Sequence, residues 1–380
     1  MTEDKDAPES TPPQHHHPEH PTGPHEHGHS YYEPGEFLDA PPDETIAETE
    51  VSLQRRLLNW RTIGSIVFAL VLVFLLFRVV LNVDFSNILE LVRSANPTLL
   101  LAALVAYYLT FPLRSLRWWL VLRNVGTHVR YGDATEILFL SWFVNCLVPA
   151  KLGDLYRAYL LRATYAASIS RTVGTIFLER IADLVLIFSL ALAAGFWSFR
   201  GKNRPEVDAL FLTGFVFVTA LIIFIVVLRW QGRRLTKFLP GRVADLYERF
   251  HEGSTGAMRP VVLAQVGALT GAVWLLEGLR VLFVIRALDL PGVHIGISGS
   301  IFVALGASLL TAIPLTPAGI GFVQAGIVFM LALYGVPAEE ATAVALVDFV
   351  ISTLSVIVIG GVVYAFSDKV RKAHGSPSLA

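Results

Sequence analysis

The chain has 380 residues, of which 54% are hydrophobic and 16% charged, and its mean hydropathy is +0.57. A water-soluble domain has no use for repeated apolar runs of about 20 residues, so this composition indicates one membrane domain with a tail. The net charge of −1 hides an acidic N-terminal tail and a surplus of eleven basic residues in positions 51–380. The only cysteine, Cys146, excludes an intrachain disulfide.

Residues 1–55 are predicted to be a disordered, cytoplasmic, acidic tail. Nine of the twenty prolines and seven of the eleven histidines lie within the first 50 residues, so this segment cannot bury a core. Neutral imidazoles at this density can converge on Zn²⁺ or Ni²⁺, so weak metal binding by the tail is one interpretation and a solvated low-complexity tail is the other. A signal peptide is not expected before the tail, since the first long apolar run begins only at Thr62.

Six apolar runs are long enough to span a bilayer as helices. They cover residues 62–81, 98–122, 172–198, 209–229, 263–288 and 343–366. Basic residues cluster before the first run, after the second, in the 229–259 loop and after the last, and such clusters stay on the cytoplasmic side. The sequence therefore predicts a multi-pass cell-membrane protein with a domain at 56–368, a short basic tail at 369–380, and both termini in the cytoplasm.

Two shorter apolar stretches, 133–148 and 298–314, end at Pro/Gly breaks. If 133–148 crossed the membrane, half of the basic residues around it would lie outside, so we interpret it as re-entrant. The second break would then enter from the other side, which is the pattern of an inverted repeat with broken helices. The predicted fold is all-α, with six spans and two re-entrant or broken hairpins; the alternative is that both short stretches cross fully.

The first break, NCLVPAKLGDLYR at 145–157, has the composition of a phosphate site. Pro149 and Gly153 interrupt the helix, and the start of the next helix, about 154–162, offers free N–H groups and a positive dipole end. Lys151 adds a full charge, and Asp154 is expected to orient Arg157 one turn on. The alternative is a Gly/Pro kink with charges that only set topology.

The second break, AIPLTPAGIGFVQAG at 312–326, begins a matching helix. Gly319 and Gly321 there would allow close approach of the backbone to a ligand. Together the two breaks could hold a lipid headgroup from opposite sides.

Charged residues also lie within the predicted spans, where each costs at least about 2.5–3.5 kcal/mol and should face the bundle interior. Glu179, Arg180 and Asp183 share one flank of their helix, and Glu277 and Arg280 repeat the i,i+3 spacing. They are interpreted either as a polar path for a headgroup or as structural ion pairs. Arg114 and Arg117, beside two tryptophans near a helix end, are interpreted mainly as interfacial anchors.

Asp348 is the only acid between Glu340 and Asp368, and no base lies within one turn of it. We favour an ion pair with a base from another helix, either Arg280 or Lys151. The alternative is a neutral carboxyl hydrogen-bonded to Gln324.

At these breaks the sequence resembles the lysylphosphatidylglycerol synthase transmembrane family. The likeness runs from Asn145 through VPAKLGD and Arg157 to FLERIAD (177–183), and from Pro314 through TPAGIG and Gln324 into the last span. It covers about residues 60–366, while the aminoacyl-transferase domain of bifunctional members is not expected here. The resemblance implies lipid handling without lipid aminoacylation. The family usually has Arg, Glu and Gly where Lys151, Asp154 and Ala318 stand, Glu in place of Gln324, and Arg near Asp348.

The favoured function is a flippase-like transporter that moves a phospholipid or modified-lipid headgroup between leaflets. Alternatives are a membrane glycosyltransferase, or other enzyme acting on a lipid-linked substrate, and a scaffold whose tail recruits a partner. No ATP-binding GxxxxGK[ST] motif occurs, and neither a cofactor nor a nucleic acid is expected; a homo-oligomer is compatible with the sequence. The candidate headgroup-binding residues are Asn145, Lys151, Gly153, Asp154, Arg157, Glu179, Arg180, Asp183, Thr316, Gly319, Gly321, Gln324 and Asp348.

Overall fold

The computed structural model describes residues 85–148, 151–200, 205–235, 240–255, 259–290, 293–310 and 316–375. The predicted tail and the first predicted span, 62–81, lie outside these residues, as do Pro149 and Pro314. The described residues belong to one compact unit.

Every regular element in the described residues is helical, so the all-α prediction is confirmed for them. The helices are α1 (Phe85–Arg93), α2 (Pro97–Asn124), α3 (Tyr131–Leu147), α4 (Leu152–Tyr165), α5 (Ile169–Phe199), α6 (Pro205–Leu235), α7 (Gly241–Thr255), α8 (Pro260–Ala287), α9 (Ile297–Leu309), α10 (Phe322–Ala332), α11 (Ala338–Phe349), α12 (Ser355–Phe366) and α13 (Asp368–Gly375). A short 3-10 turn (Pro317–Gly319) precedes α10, and a π-helical segment (Val350–Leu354) joins α11 to α12.

Local sequence signals account for the helix starts. The side chain of Asn96 accepts hydrogen bonds from the N–H groups of Thr98 and Leu99 at 3.0 and 3.4 Å, which caps α2. Both α2 and α8 have proline at their first position, where the missing N–H group costs nothing. Ser168 caps α5 through the N–H group of Arg171.

Three helices are long and apolar enough to cross a membrane: Pro97–Asn124, Pro260–Ala287 and Ala338–Phe366. They coincide within a few residues with the predicted spans 98–122, 263–288 and 343–366. The other two predicted spans in the described residues fall within α5 and α6, each 31 residues long. Leu212, Phe215 and Ile223 are exposed on α6.

The two short apolar stretches form helices that end at breaks, as expected. Helix α3 has 17 residues and α9 has 13, and each is followed by a second short helix, α4 or α10. Helices α2 and α8 share the most extensive contact and form the centre of the bundle, with α5, α9 and α11 packed on α8. The turn at 317–319 packs against α3, so the second break lies beside the first helix–break–helix unit.

The described part of the basic segment after the last span, helix α13, is bound to α3 and α4. In α13, Lys369 forms ion pairs with Asp133, at 2.8 Å, and with Glu136 of α3, and Tyr159 of α4 donates a hydrogen bond to the Ala373 carbonyl at 2.6 Å. Burial lowers the pKa of Lys369, but the two carboxylates outweigh it and raise the pKa above its ordinary value. This stabilisation is complete below the ordinary pKa of lysine and is lost as the pH rises through the raised one.

Candidate functional site

The corner between α3 and α4 is held by side-chain hydrogen bonds rather than left open. Lys151 takes a left-handed conformation with φ of 53°, and the N–H group of Gly153 donates to Asn145 Oδ1 at 2.8 Å. Asn145 Nδ2 lies 3.3 Å from Asp154 Oδ1. One of the helix-start N–H groups predicted to bind phosphate is therefore already occupied by Asn145.

Gly153 is needed for close packing of α4 on α3. A Cβ atom at this position would lie 2.1 Å from the carbonyl oxygen of Ser141 and 2.7 Å from the Asn145 side chain. This contact explains the glycine without a ligand, because backbone atoms at that distance must move.

Gly153→Ala should therefore destabilise the protein by about 1–3 kcal/mol, the range for overpacking in a dense interior. Its matched control is Gly132→Ala in α3, where a Cβ atom would meet nothing within 4 Å. Thermal unfolding in detergent measures both variants. Equal melting temperatures for the two would show that α3 and α4 separate freely at this point.

The charged residues after the corner pair between helices. Arg157 of α4 donates to Glu179 Oε2 at 2.5 Å, and its guanidinium lies 4.4 Å from the ring centre of Trp118. Arg180 donates to both oxygens of Asp154, at 2.8 and 2.9 Å. The expectation that Asp154 orients Arg157 is wrong. Asp154 accepts hydrogen bonds from Arg180, whereas Arg157 donates to Glu179 of α5 and stacks on Trp118.

Arg117 of α2 joins this group, which we call the first charge cluster: Arg117, Asp154, Arg157, Glu179, Arg180 and Asp183. Arg117 reaches Asp183 at 2.5 and 3.2 Å, Glu179 at 3.3 Å and the hydroxyl of Thr270 at 2.7 Å. Arg180 also lies 3.7 Å from Asp183, the i,i+3 neighbour expected from the sequence. The cluster thus connects α2, α4, α5 and α8.

A second set of ion pairs, which we call the second charge chain, runs through Arg114, Glu277, Arg280 and Asp348. Arg114 lies 2.8 Å from Glu277, Glu277 lies 3.3 Å from Arg280, and Arg280 Nε lies 3.1 Å from Asp348 Oδ1. The prediction that Asp348 pairs with a base of another helix is confirmed, and that base is Arg280 rather than Lys151.

The interpretation of Arg114 and Arg117 as interfacial anchors is wrong. Both are buried, with 4% and 3% of their surface exposed, and both carry ion pairs inside the bundle. The Arg114 guanidinium lies 4.6 Å from the ring centre of Trp142 and 5.5 Å from that of Trp274. Their i,i+3 spacing, the same as that of Glu277 and Arg280, was the signal that could have identified them.

The second break contains three residues with positive φ. Ala318, Gly319 and Gly321 have φ of 51°, 71° and 90°, a region that favours glycine. The N–H group of Gly321 donates to Gln324 Oε1 at 2.6 Å, and Thr316 donates to the Ile320 carbonyl at 2.9 Å. Gln324 is therefore the cap of α10, and its carbonyl oxygen is not available to Asp348.

The candidate residues thus fall into three places. Asn145, Gly153 and Lys151 lie at the α3–α4 corner beside the first charge cluster, whereas Asp348 belongs to the second charge chain. Thr316, Gly319, Gly321 and Gln324 form the second turn, and within the described part of the chain neither a hydrogen bond nor an ion pair joins them to either set of charges.

The two sets contain five arginines and five acids, so their formal charges cancel. Lys151 stands apart: among the residues the structure describes, no carboxylate lies within ion-pair distance of it. It is partly buried and close enough to Arg180, Asp154 and Asp183 to interact with them electrostatically. Arg180, with 30% of its side chain exposed, is the most accessible arginine of the two sets, whereas Arg114, Arg117, Arg157 and Arg280 are 8% exposed or less.

Apolar helices around interlocked charged side chains define a polytopic membrane protein with a polar interior. The family profile described as the lysylphosphatidylglycerol synthase TM region matches residues 62–360, and the chain belongs to this family. The predicted family resemblance is confirmed.

Similar curated proteins include UPF0104 membrane proteins and one protein named a glycosyltransferase. A UPF0104 membrane protein of Methanocaldococcus jannaschii is 34% identical over 222 residues, which cover 58% of this chain and 93% of that protein. A UPF0104 membrane protein of Methanothermobacter thermautotrophicus is 25% identical over 70% of this chain and 85% of its own length. Glycosyltransferase AglD of Haloferax volcanii is 28% identical over 74% of this chain, but the match spans only 51% of that protein.

Proposed function

We propose that this protein is a flippase-like lipid transporter that moves a phospholipid or modified-lipid headgroup between leaflets of the cell membrane. The observation that carries the proposal is the polar interior, in which ten charged side chains bridge apolar helices. Charge buried among apolar helices is costly and marks pathways for polar substrates in membrane proteins. Lys151 and Arg180 are the cations best placed to meet a phosphate, since the other arginines are almost fully buried in ion pairs.

Lys151→Gln tests the headgroup site with little disturbance of the fold. Removing Lys151 leaves no acid unpaired within the described residues, so the melting temperature should stay near that of the wild type. Loss of a charged contact to phosphate, worth about 1.5–3 kcal/mol, should lower the rate of translocation of fluorescent phosphatidylglycerol by about tenfold or more. The assay is dithionite accessibility of the label in proteoliposomes.

The control for this test is Arg123→Gln, which removes an exposed arginine at the end of α2 that stacks on Trp119. It should translocate lipid at the wild-type rate. Equal rates for wild type, Lys151→Gln and the control would contradict the assignment of Lys151 to the headgroup.

The inverted-repeat topology, with six spans, two re-entrant hairpins and both termini in the cytoplasm, is part of the proposal. It is supported by two series of helices. In the first series, α2, α3, α4 and α5 have 28, 17, 14 and 31 residues. In the second series, α8, α9 and α10 have 28, 13 and 11 residues, and the helix Ala338–Phe366 has 29. Each series is thus a long helix, two short helices and a second long helix. Arg114 and Arg117 are the eighteenth and twenty-first residues of α2, and Glu277 and Arg280 have the same places in α8.

Labelling of single cysteines tests this topology. In a Cys146→Ser background, Arg200→Cys at the end of α5 and Glu248→Cys on α7 lie on either side of α6 in the chain. Because α6 is proposed to span, an impermeant maleimide should reach the two cysteines from opposite sides of the membrane. Labelling of both from the same side would rule out the six-span arrangement.

An enzyme acting on a lipid-linked substrate is the second candidate, because one relative is named a glycosyltransferase. That match covers about half of the relative, so the named activity stays with that protein. Incubating the purified chain with a polyprenyl-phosphate sugar and an acceptor lipid distinguishes the two functions. Transfer of the sugar would favour the enzyme, whereas movement of an unchanged lipid would favour the transporter.

A further inference from the structure

The second charge chain has two unlike ends. At one end, Arg114 donates to Glu277 at 2.8 Å and lies against the faces of Trp142 and Trp274. At the other end, Asp348 is fully buried, and the hydroxyl of Ser352 is the hydrogen-bond donor beside it in the described residues. Arg280 lies 3.1 Å from Asp348 but without hydrogen-bond geometry, and Glu277 shares that arginine. Asp348 therefore has one arginine partner, whereas Glu277 has two.

The surroundings of Asp348 contain few other groups that could supply or remove charge. Arg280 and Glu277 of α8 are the charged side chains that act on it, and Ser352 of the π-helical segment is the neighbouring hydroxyl. Helix α10 contains no charged residue. Helix α1 meets α11 where Asn87 contacts Glu339, about 14 Å along the helix from Asp348.

The backbone next to Asp348 departs from a regular helix. Asp348 lies two residues before the π-helical segment Val350–Leu354, a type of distortion often found at functional sites. Tyr107 of α2 donates to the Ser352 carbonyl at 2.6 Å, and its ring lies 5.2 Å from the Arg280 guanidinium. Movement of Arg280 would therefore disturb its contact with the Tyr107 ring and, through the hydrogen bond of Tyr107, the distorted backbone at Ser352.

The charge balance of the second charge chain determines what must bind together with a proton on Asp348. Arg114 and Arg280 are balanced by Glu277 and Asp348, so the chain carries no net charge. Protonation of Asp348 would leave a net charge of +1 in an apolar interior, which is costly unless an anion compensates it. A headgroup with one net negative charge provides that compensation.

We propose that Asp348 is a proton-binding site and that one proton moves together with one lipid of net charge −1. The carboxylate takes up the proton from water, an O–H bond forms, and Arg280 loses one of its two acidic partners. Proton and lipid then cross as a neutral pair. The coupling depends on the proposed lipid transport, whereas the proton site itself does not.

The coupling is tested with the full chain in proteoliposomes that contain a trace of acyl-labelled phosphatidylglycerol. Under a gradient of about one pH unit, co-transport should concentrate the label about tenfold in the leaflet that faces the alkaline side. Asp348→Asn with Arg280→Gln removes one acid and one base together, so this double variant should fold and should distribute the label evenly. Asp245→Asn, at an exposed acid on α7, should accumulate the label as the wild type does.

Each outcome separates the coupling from the transport. Even distribution by the wild type would overturn the coupling and leave lipid transport standing, and accumulation on the acidic side would overturn co-transport. If no variant moves lipid, the proposed function fails. The proton site is then decided by infrared difference spectra between acidic and alkaline buffer. A protonated-carboxyl band that is present in wild type and absent from Asp348→Asn supports the site, and its presence in both overturns it.

Discussion

Arg117→Gln is expected to cause the largest loss of stability among single substitutions of the buried arginines. Arg117 contacts Glu179, Asp183 and Thr270 from one buried guanidinium. Its removal leaves the first charge cluster with three acids and two bases, and breaking such a buried pair costs about 3–5 kcal/mol. Thermal unfolding in detergent and the yield of folded protein measure the effect.

Two further variants show what causes the loss of stability in Arg117→Gln. Arg117→Lys keeps the charge but loses the planar fork that reaches three partners, so it should fall between wild type and Arg117→Gln. Arg123→Gln on the same helix removes an exposed arginine and should cost little. A loss in Arg117→Gln no greater than in Arg123→Gln would mean that the cluster contributes nothing to folding.

The second large effect is expected at Asp348 and Arg280. Asp348→Asn leaves Arg114 and Arg280 with Glu277 alone, and Arg280→Gln leaves Asp348 without a basic partner in the described residues. Each single variant should lower both the melting temperature and lipid translocation. The double variant retains the balanced pair of Arg114 and Glu277, so it should recover part of the stability, with a coupling of about 1–3 kcal/mol.

This comparison of single and double variants separates an ion pair from a tolerated polar residue. If Asp348→Asn matches the wild type in stability and in translocation, Asp348 is a neutral core residue and its pair with Arg280 has no energetic role. If the double variant is as unstable as the sum of the two singles, the two side chains act independently despite their 3.1 Å separation.

Periodicity and length predicted the helices well, because a span of about 20 apolar residues has few alternatives. The run at 98–122 became α2, and the stretches at 133–148 and 298–314 became short helices that end at breaks. The pairing of Arg180 with Asp183 also followed from spacing on one helix. Features set by neighbours along the chain were therefore accessible from the sequence.

Partners between helices were harder to predict, because they depend on how helices rotate about their axes. Asp154 was expected to meet Arg157 one turn away, yet it binds Arg180 of α5. Arg114 and Arg117 were assigned to the interface from their neighbouring tryptophans, although Trp118 stacks on Arg157 inside the bundle. Asp348 was paired correctly because a lone acid in an apolar helix requires a base, and few buried bases were available.

The ion pairs of α2 also bear on the order in which the protein is made. Asp183, which pairs with Arg117, follows it by 66 residues in the chain, and Glu277, which pairs with Arg114, follows it by 163 residues. During synthesis α2 therefore emerges with two arginines whose partners do not yet exist, and each weakens its partition into lipid by a few kcal/mol. Stable insertion of α2 should be delayed until α8 has been translated. A nascent chain that stops before Pro260 should hold α2 less firmly in the bilayer than one that extends beyond Ala287, so the insertion of α2 depends on the synthesis of α8.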